Sequence, residues 1–275
     1  MRGVELVCLD YAYQFTKMSV ILSELFLSCA RAPGLKIAAG LIYVLGETSL
    51  VGYIVLLTLF LTSILSWSVT LYKLTGLRTA KERNARFVTT FRQGQSPLRI
   101  YEERIPFGGS PLFEVYKAGC EELRFQLLST TTMDEGMHSR VINTKQISPR
   151  QIRPIVAAME QAIVESTLRL ESLMIVLSTA VSGAPFLGLL GTVWGVMDVF
   201  AGIAVAGNVN LTAMAPGVAG ALTTTVAGLL VAIPAMFAYN FLTANIRSMI
   251  TQCESFAAEF SSAVEHRYVA CSNLQ

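Results

Sequence analysis

The chain has 275 residues, of which 53% are hydrophobic and only 15% charged, with a formal net charge of +2. Soluble globular chains carry about 25% charged residues, so this composition, with a mean hydropathy of +0.53, points to lipid as the solvent. The net charge is too small for a nucleic-acid binder, and the five scattered cysteines and two distant histidines show no metal-ligand or redox spacing.

Residues 1–46 contain one short apolar stretch, Val20 to Ala30, interrupted by Glu24 and followed by no small-residue cleavage pattern. They are expected to form an amphipathic extension at the membrane surface, not a cleaved leader. Thr48 to Tyr72 is an uncharged run of 25 residues, enough for one crossing of a bilayer core that needs about 20. This places a first transmembrane helix over 47–72.

Residues 73–171 are polar and hold 15 of the 21 lysines and arginines. Lys73, Arg78, Lys81, Arg83, Arg86 and Arg92 follow the first span closely, whereas only Arg31 and Lys36 precede it within a similar distance. Basic residues favour the cytoplasmic side, so the N-terminus is expected to be periplasmic and 73–171 a cytoplasmic helical domain. Pro106, Gly108, Gly109 and Pro111 divide it. Lys73 to Arg104 reads as a charged helix leaving the membrane, and Phe113 to Leu128 as a second helix. Ser148-Pro149 reads as a helix start, serine capping and proline taking the first turn. From there Ile155, Met159, Ile163, Leu168 and Leu170 carry helical spacing on into the second span. The adjacent acid pairs Glu102-Glu103 and Glu121-Glu122 do not share a helix face, so nothing suggests paired-carboxylate catalysis, and the chain is not expected to be an enzyme.

Ser172 to Met197 and Val199 to Ile246 are uncharged runs of 26 and 48 residues, separated only by Asp198. They predict a second span over 172–206, a periplasmic turn at 207–210, a third helix over 211–246 and a cytoplasmic tail over 247–275. As one helix, 211–246 would be about 54 Å long against a hydrocarbon core of about 30 Å. Neighbours must cover the excess, which implies an oligomer.

With the turn centred on Val209, Thr192 and Thr225 come to one depth, about 25 Å below it. Their hydroxyls either face each other or a common pore, or each bonds the backbone of its own preceding turn. Thr223 and Thr224 are expected to point elsewhere. Gly191 and Gly195 form a GxxxG pair around Thr192, and Gly220, Thr224, Gly228 and Ala232 recur every fourth residue; such stripes let helix backbones approach closely. Asp198 is the only ionisable residue inside these two spans. It marks an ion pathway or lies shallow enough to reach water.

Ala184-Pro-Phe-Leu-Gly-Leu-Leu-Gly-Thr-Val-Trp-Gly-Val-Met197 resembles the second-span signature of the TolQ/ExbB/MotA family. Ala215-Pro-Gly-Val-Ala, Ala221-Leu, Thr225, Gly228-Leu, Ala232-Ile-Pro-Ala235 and Tyr239-Asn240 resemble its third span. The resemblance implies an all-α inner-membrane protein, multi-pass, forming a five-fold homo-oligomeric ring. The ring would surround membrane helices of a single-span TolR-, ExbD- or MotB-like partner whose aspartate takes the proton, and a TonB- or TolA-like transducer is implied beyond it. Thr192 and Thr225 correspond to the pore threonines. Gly188, Gly191, Gly195, Pro216, Gly217, Gly220, Gly228 and Pro234 are expected to serve helix packing. No metal or cofactor is implied.

One departure stands out. TolQ and ExbB have a glutamate where this chain has Gly220, and MotA-like members generally lack it. Because Asp198 and Gly220 each lie 11 residues from Val209, Asp198 is expected to occupy the space opened by Gly220 and to supply the missing charge. A passive scaffold for a periplasmic or cytoplasmic partner is the competing reading; a small-solute transporter is weaker, since three spans show no inverted repeat.

Overall fold

The computed structural model describes residues 49–94, 97–103, 107–133, 147–207 and 211–268. The expected extension over 1–46, with Cys8 and Cys29, lies outside the described residues, as do most of the turn at 207–210, His138 and Cys271. The described residues are all-helical: α1 Leu50–Gln93, α2 Arg99–Glu102, α3 Pro111–Met133, a 3-10 turn Pro149–Gln151, α4 Ile152–Glu171, α5 Met174–Ala206 and α6 Leu211–Tyr268. Three of these are long and apolar enough to cross a membrane: α1, α5 and the Met214–Tyr268 part of α6.

Several boundaries differ from expectation. The first span and the charged helix after it are one helix, α1, which stops at Gln93 before Gly94 and not at Arg104. No proline interrupts it, and the change from apolar to charged residues alters its surroundings without altering its backbone. The third helix runs on to Tyr268, so most of the expected tail is helical, with an exposed His266 in its last turn. Conversely, α4 does not continue into the second span. Ser172 is extended (ψ 143) and Leu173 has φ 65, a conformation uncommon for any residue but glycine.

That break is held by a buried lysine. Lys73 donates from Nζ to the carbonyl of Leu170 at 2.9 Å, to Ser172 Oγ at 3.1 Å and to the Arg169 carbonyl at 3.5 Å. The last carbonyls of a helix have no intrahelical partner and sit at the negative end of its dipole; an ammonium group answers both.

The described residues form two compact units. The first comprises α1 to Thr70, α5 from Ile175 and α6 to Phe241. In it Val55 and Leu59 of α1 pack against Ala184 and Leu187 of α5 and Ala227, Val231 and Ala232 of α6. Leu57, Phe60, Trp67, Phe186, Phe200, Leu222 and Leu230 are exposed, more apolar surface than a water-soluble monomer presents.

The second unit comprises the remaining parts of α1, α5 and α6 with α2, α3 and α4. Its core is a set of aromatic rings: Phe87 lies 5.3 Å from Tyr116 and 5.4 Å from Phe256, Phe91 lies 5.0 Å from Phe256, and Tyr116 lies 5.6 Å from Phe260. Cys120, Leu123, Ile155, Met159 and Val264 complete it. Burial pushes the Cys120 thiol up to about 12, which makes it inert at neutral pH. Polar groups fix the ends of the helices around this core. Ser110 starts α3, accepting from the Phe113 N–H at 3.3 Å and donating to Asn84 Oδ1 at 2.6 Å, with Pro111 next. The Tyr116 hydroxyl donates to the Pro97 carbonyl at 2.8 Å and accepts from the Tyr101 N–H at 3.1 Å, which ties α2 down. Before α4, the Ser148 N–H donates to Gln151 Oε1 at 2.7 Å, one half of a capping box.

Phe87 contacts five aromatic rings, those of Phe91, Phe107, Phe113, Tyr116 and Phe256. Phe87→Ala is expected to destabilise the second unit by about 3–5 kcal/mol, whereas Phe125→Ala, at an exposed position, leaves stability near the parent. Thermal unfolding in detergent checks this; equal midpoints for the two variants would contradict the core assignment.

Candidate functional site: the α5–α6 hairpin

The hairpin is built on missing side chains. Gly207, with φ +68, ends α5 and donates its N–H to the Ile203 carbonyl at 3.0 Å, a left-handed cap that glycine adopts at no steric cost. The two helices then run antiparallel along a seam of small residues. A Cβ added at Gly188 would sit 2.8 Å from the Thr224 carbonyl oxygen and 2.9 Å from Thr225 Cα; one at Gly195 would sit 2.6 Å from Ala221 Cβ; one at Gly217, 2.7 Å from Val199 Cγ2; one at Gly228, 2.5 Å from the Ala184 carbonyl oxygen. At Gly191 it would collide with the Thr224 side chain. Real Cβ contacts do not come this close, so Gly188, Gly195 and Gly228 are sites of direct backbone approach, and Gly191 and Gly217 make room for the side chains of Thr224 and Val199. Gly220 is buried. Pro216 and Pro234 stand inside α6, half-buried.

The seam also carries its own polar closure. The Gly188 carbonyl accepts from Thr224 Oγ1 at 3.0 Å and from Thr225 Oγ1 at 3.1 Å. Thr224 shares its proton with the Ala221 carbonyl at 2.7 Å and is fully buried. Thr224 therefore does not point elsewhere, as expected from sequence, but occupies the centre of the seam. Its place on the four-residue stripe with Gly220 and Gly228 was the signal that located it. Thr223 bonds the Ala219 carbonyl of its own helix at 2.9 Å.

Thr192 and Thr225 do not bond each other. Thr192 donates to the Leu189 carbonyl at 2.7 Å, the local arrangement open to any helical threonine. Their helical phase is more informative. At 3.6 residues per turn, Thr192 lies about 60° to one side of the line through Gly188, Gly191, Gly195 and Val199. Thr225 lies about 70° to one side of the line through Gly217, Ala221, Thr224 and Gly228. Because the helices are antiparallel, both offsets fall on the same flank of the hairpin. The opposite flank carries Leu187, Ala227 and Val231, which pack on α1. The two threonines thus share the flank that α1 leaves uncovered.

Asp198 lies on the other flank, three helical turns beyond Leu187, and is exposed. Val199 meets Gly217 and Gly195 meets Ala221, so the level opposite Asp198 is that of Val218, about two residues from Gly220. By the same phase Gly220 lies about 70° off the seam line, on the flank of Asp198, and it is buried while Asp198 is exposed. Among the described residues no group of three or more His, Cys, Asp or Glu is disposed to hold a metal ion.

A membrane-embedded helical hairpin with a glycine–threonine seam and one uncovered hydroxyl-bearing flank defines a class of multi-span membrane protein. The profile of the MotA/TolQ/ExbB proton channel family matches residues 127–255. The Tol-Pal system protein TolQ of Pseudomonas aeruginosa is 32% identical over 232 residues, covering 83% of this chain and 94% of that protein. The biopolymer transport protein ExbB of Xanthomonas campestris pv. campestris is 32% identical over 213 residues, 75% of this chain and 79% of that one. The ExbB of Salmonella typhimurium is 45% identical over 83 residues, 30% of this chain and 34% of that one. The chain belongs to the MotA/TolQ/ExbB proton channel family, and is a membrane protein with three candidate spans.

The seam makes a sharp distinction between glycines. Gly191→Ala is expected to lower the unfolding temperature of the purified protein by several degrees, because its methyl meets Thr224. Gly202→Ala, where a Cβ meets nothing within 4 Å, should be neutral or stabilising, since alanine is a better helix former by about 1 kcal/mol. Equal effects would remove the basis for the seam.

Proposed function

We propose that this chain is a proton-conducting stator subunit of the bacterial inner membrane. Copies assemble as a ring, five-fold by the resemblance, around the membrane helix of a single-span TolR- or ExbD-like partner with an intramembrane aspartate. Proton flow through the pair drives work on the cell envelope or an outer-membrane system, through a TonB- or TolA-like transducer where one is present. The chain conducts and is not a catalyst. Its N-terminus is periplasmic, the 207–210 turn periplasmic, and residues 73–171 and the end of α6 cytoplasmic.

The observation that carries this reading is the shared flank of Thr192 and Thr225, opposite α1. A wall with hydroxyls and no fixed charge lets a partner carboxylate gain and lose a proton without a permanent countercharge to hold it in one state. Asp198, on the α1 flank, is assigned no place in that wall.

Thr192 stands outside the seam, so Thr192→Val removes a hydroxyl without disturbing the approach of the helices. In proteoliposomes containing chain and partner, this variant is expected to lower proton flux at least tenfold with assembly intact. Thr225 also bonds Gly188, so the informative pair is Thr225→Ser, which keeps flux, and Thr225→Val, which loses it. Parental flux in Thr192→Val would overturn the pore assignment and favour a non-conducting scaffold.

Sidedness needs introduced cysteines, because Cys120 and Cys253 are buried. In a background without native cysteines, Val205→Cys beside the turn should label with a membrane-impermeant maleimide in intact spheroplasts. Arg150→Cys, also at an exposed position, should label only after lysis. The reverse pattern would invert the orientation.

A further inference from the structure

A cavity of about 330 Å³ opens between α1, the start of α3 and the end of α4, lined by Tyr72, Lys73, Gly76, Leu77 and Ala80, then Gly109, Ser110, Pro111 and Glu114, then Ser166, Arg169 and Leu170. Its volume lies at the small end of the range for ligand sites, about 300–1,000 Å³.

Three observations indicate that something outside the chain fills it. Gly76 stands in the middle of a 44-residue helix, where glycine is unfavourable by about 1 kcal/mol, yet a Cβ there would meet nothing within 4 Å. Packing within the chain does not explain that glycine. Ser166 is only 9% exposed and lines the cavity, and its hydroxyl makes no hydrogen bond among the described residues. Glu114 and Arg169 line the same cavity with opposite charges, and neither side chain has a hydrogen-bond or ion-pair partner among the described residues. Lys73, by contrast, is engaged with the end of α4 and serves as wall.

The position in the chain specifies the kind of occupant. The uncharged run of α1 ends at Tyr72 and that of α5 begins at Ser172, and Lys73 bonds Ser172 directly. Both runs therefore end at one level beside the cavity, the level of lipid headgroups. Tyr72, exposed on the rim, is the residue type that favours this interface.

We propose that this cavity binds the phosphoethanolamine headgroup of a membrane phospholipid. Arg169 takes the phosphate, with the hydroxyl of Ser166 as a further donor. Glu114 takes the ammonium, and Gly76, Leu77 and Ala80 lie against the glycerol. A headgroup with both charges matches a site with both charges; phosphatidylglycerol offers Glu114 no cation.

The test is native mass spectrometry of the full chain, extracted with the proteins it copurifies with, delipidated and titrated with phosphatidylethanolamine or phosphatidylglycerol. Phosphatidylethanolamine should bind at least tenfold more tightly. Glu114→Gln should abolish that preference and keep binding. Arg169→Gln should weaken both lipids, and Gly76→Leu, at a position where a Cβ meets nothing within 4 Å, should remove both by filling the cavity. Equal binding of the two lipids by the parent would overturn the proposal, as would parental lipid retention in Gly76→Leu. Soluble glycerophosphoethanolamine binding as tightly as the lipid would overturn the membrane source. A smaller assembly for Gly76→Leu with unchanged lipid retention would show a second copy covering the cavity, and would overturn it too.

Discussion

The carbonyl oxygen of Gly188 is the point on which the membrane unit depends. It faces Thr224 and Thr225 on the antiparallel helix and accepts a hydrogen bond from each. Such contact across two helices requires that neither backbone carry a side chain there, and Gly188 and Gly228 meet that condition on opposite sides. In lipid no water competes for these groups and no hydrophobic force draws the helices together, so association rests on close packing and on such bonds. The close approach fixes the rotation of both helices. Once rotation is fixed, so is the flank on which every other side chain falls.

That rotation sorts Thr224 and Thr225 of α6 and the polar residues of α5 into different tasks. Thr224 is consumed by the seam. Thr225 is half in it and half on the uncovered flank. Thr192 lies wholly on that flank, its proton given to its own helix, so its oxygen lone pairs remain available to a neighbour. Asp198 is carried to the side where α1 packs. A hydroxyl wall on one side and an apolar helix contact on the other suit the proposed role, in which a subunit seals against copies of itself and offers a neutral surface to an ionisable partner.

Much of this was legible in the sequence. Uncharged runs gave the three spans, because insertion penalties for charge are large and composition records them directly. The glycine stripe is legible because a period of four is visible without a partner, and Gly188, Gly195 and Gly228 of it lie at the close approach of the two helices. What failed were features decided by a neighbour. The break at Ser172-Leu173 has no glycine or proline to announce it; it is stabilised by Lys73, about a hundred residues away. The continuation of α6 to Tyr268 depends on Phe256 and Phe260 meeting Phe91 and Tyr116, a tertiary contact. Asp198 was placed opposite Gly220 by counting residues from Val209, whereas the contacts of Gly195 and Gly217 put Val218 at its level.

The central claim is that the threonine flank, and not the α1 flank, faces the partner's membrane helix. Site-specific photocrosslinking in cells tests it most directly, with a benzophenone amino acid at Val196 or Leu222 beside the threonines, or at Ile54 or Leu57 on the exposed side of α1. The account predicts adducts with the single-span partner from Val196 and Leu222 and none from Ile54 and Leu57. Partner adducts from the α1 positions alone would contradict it.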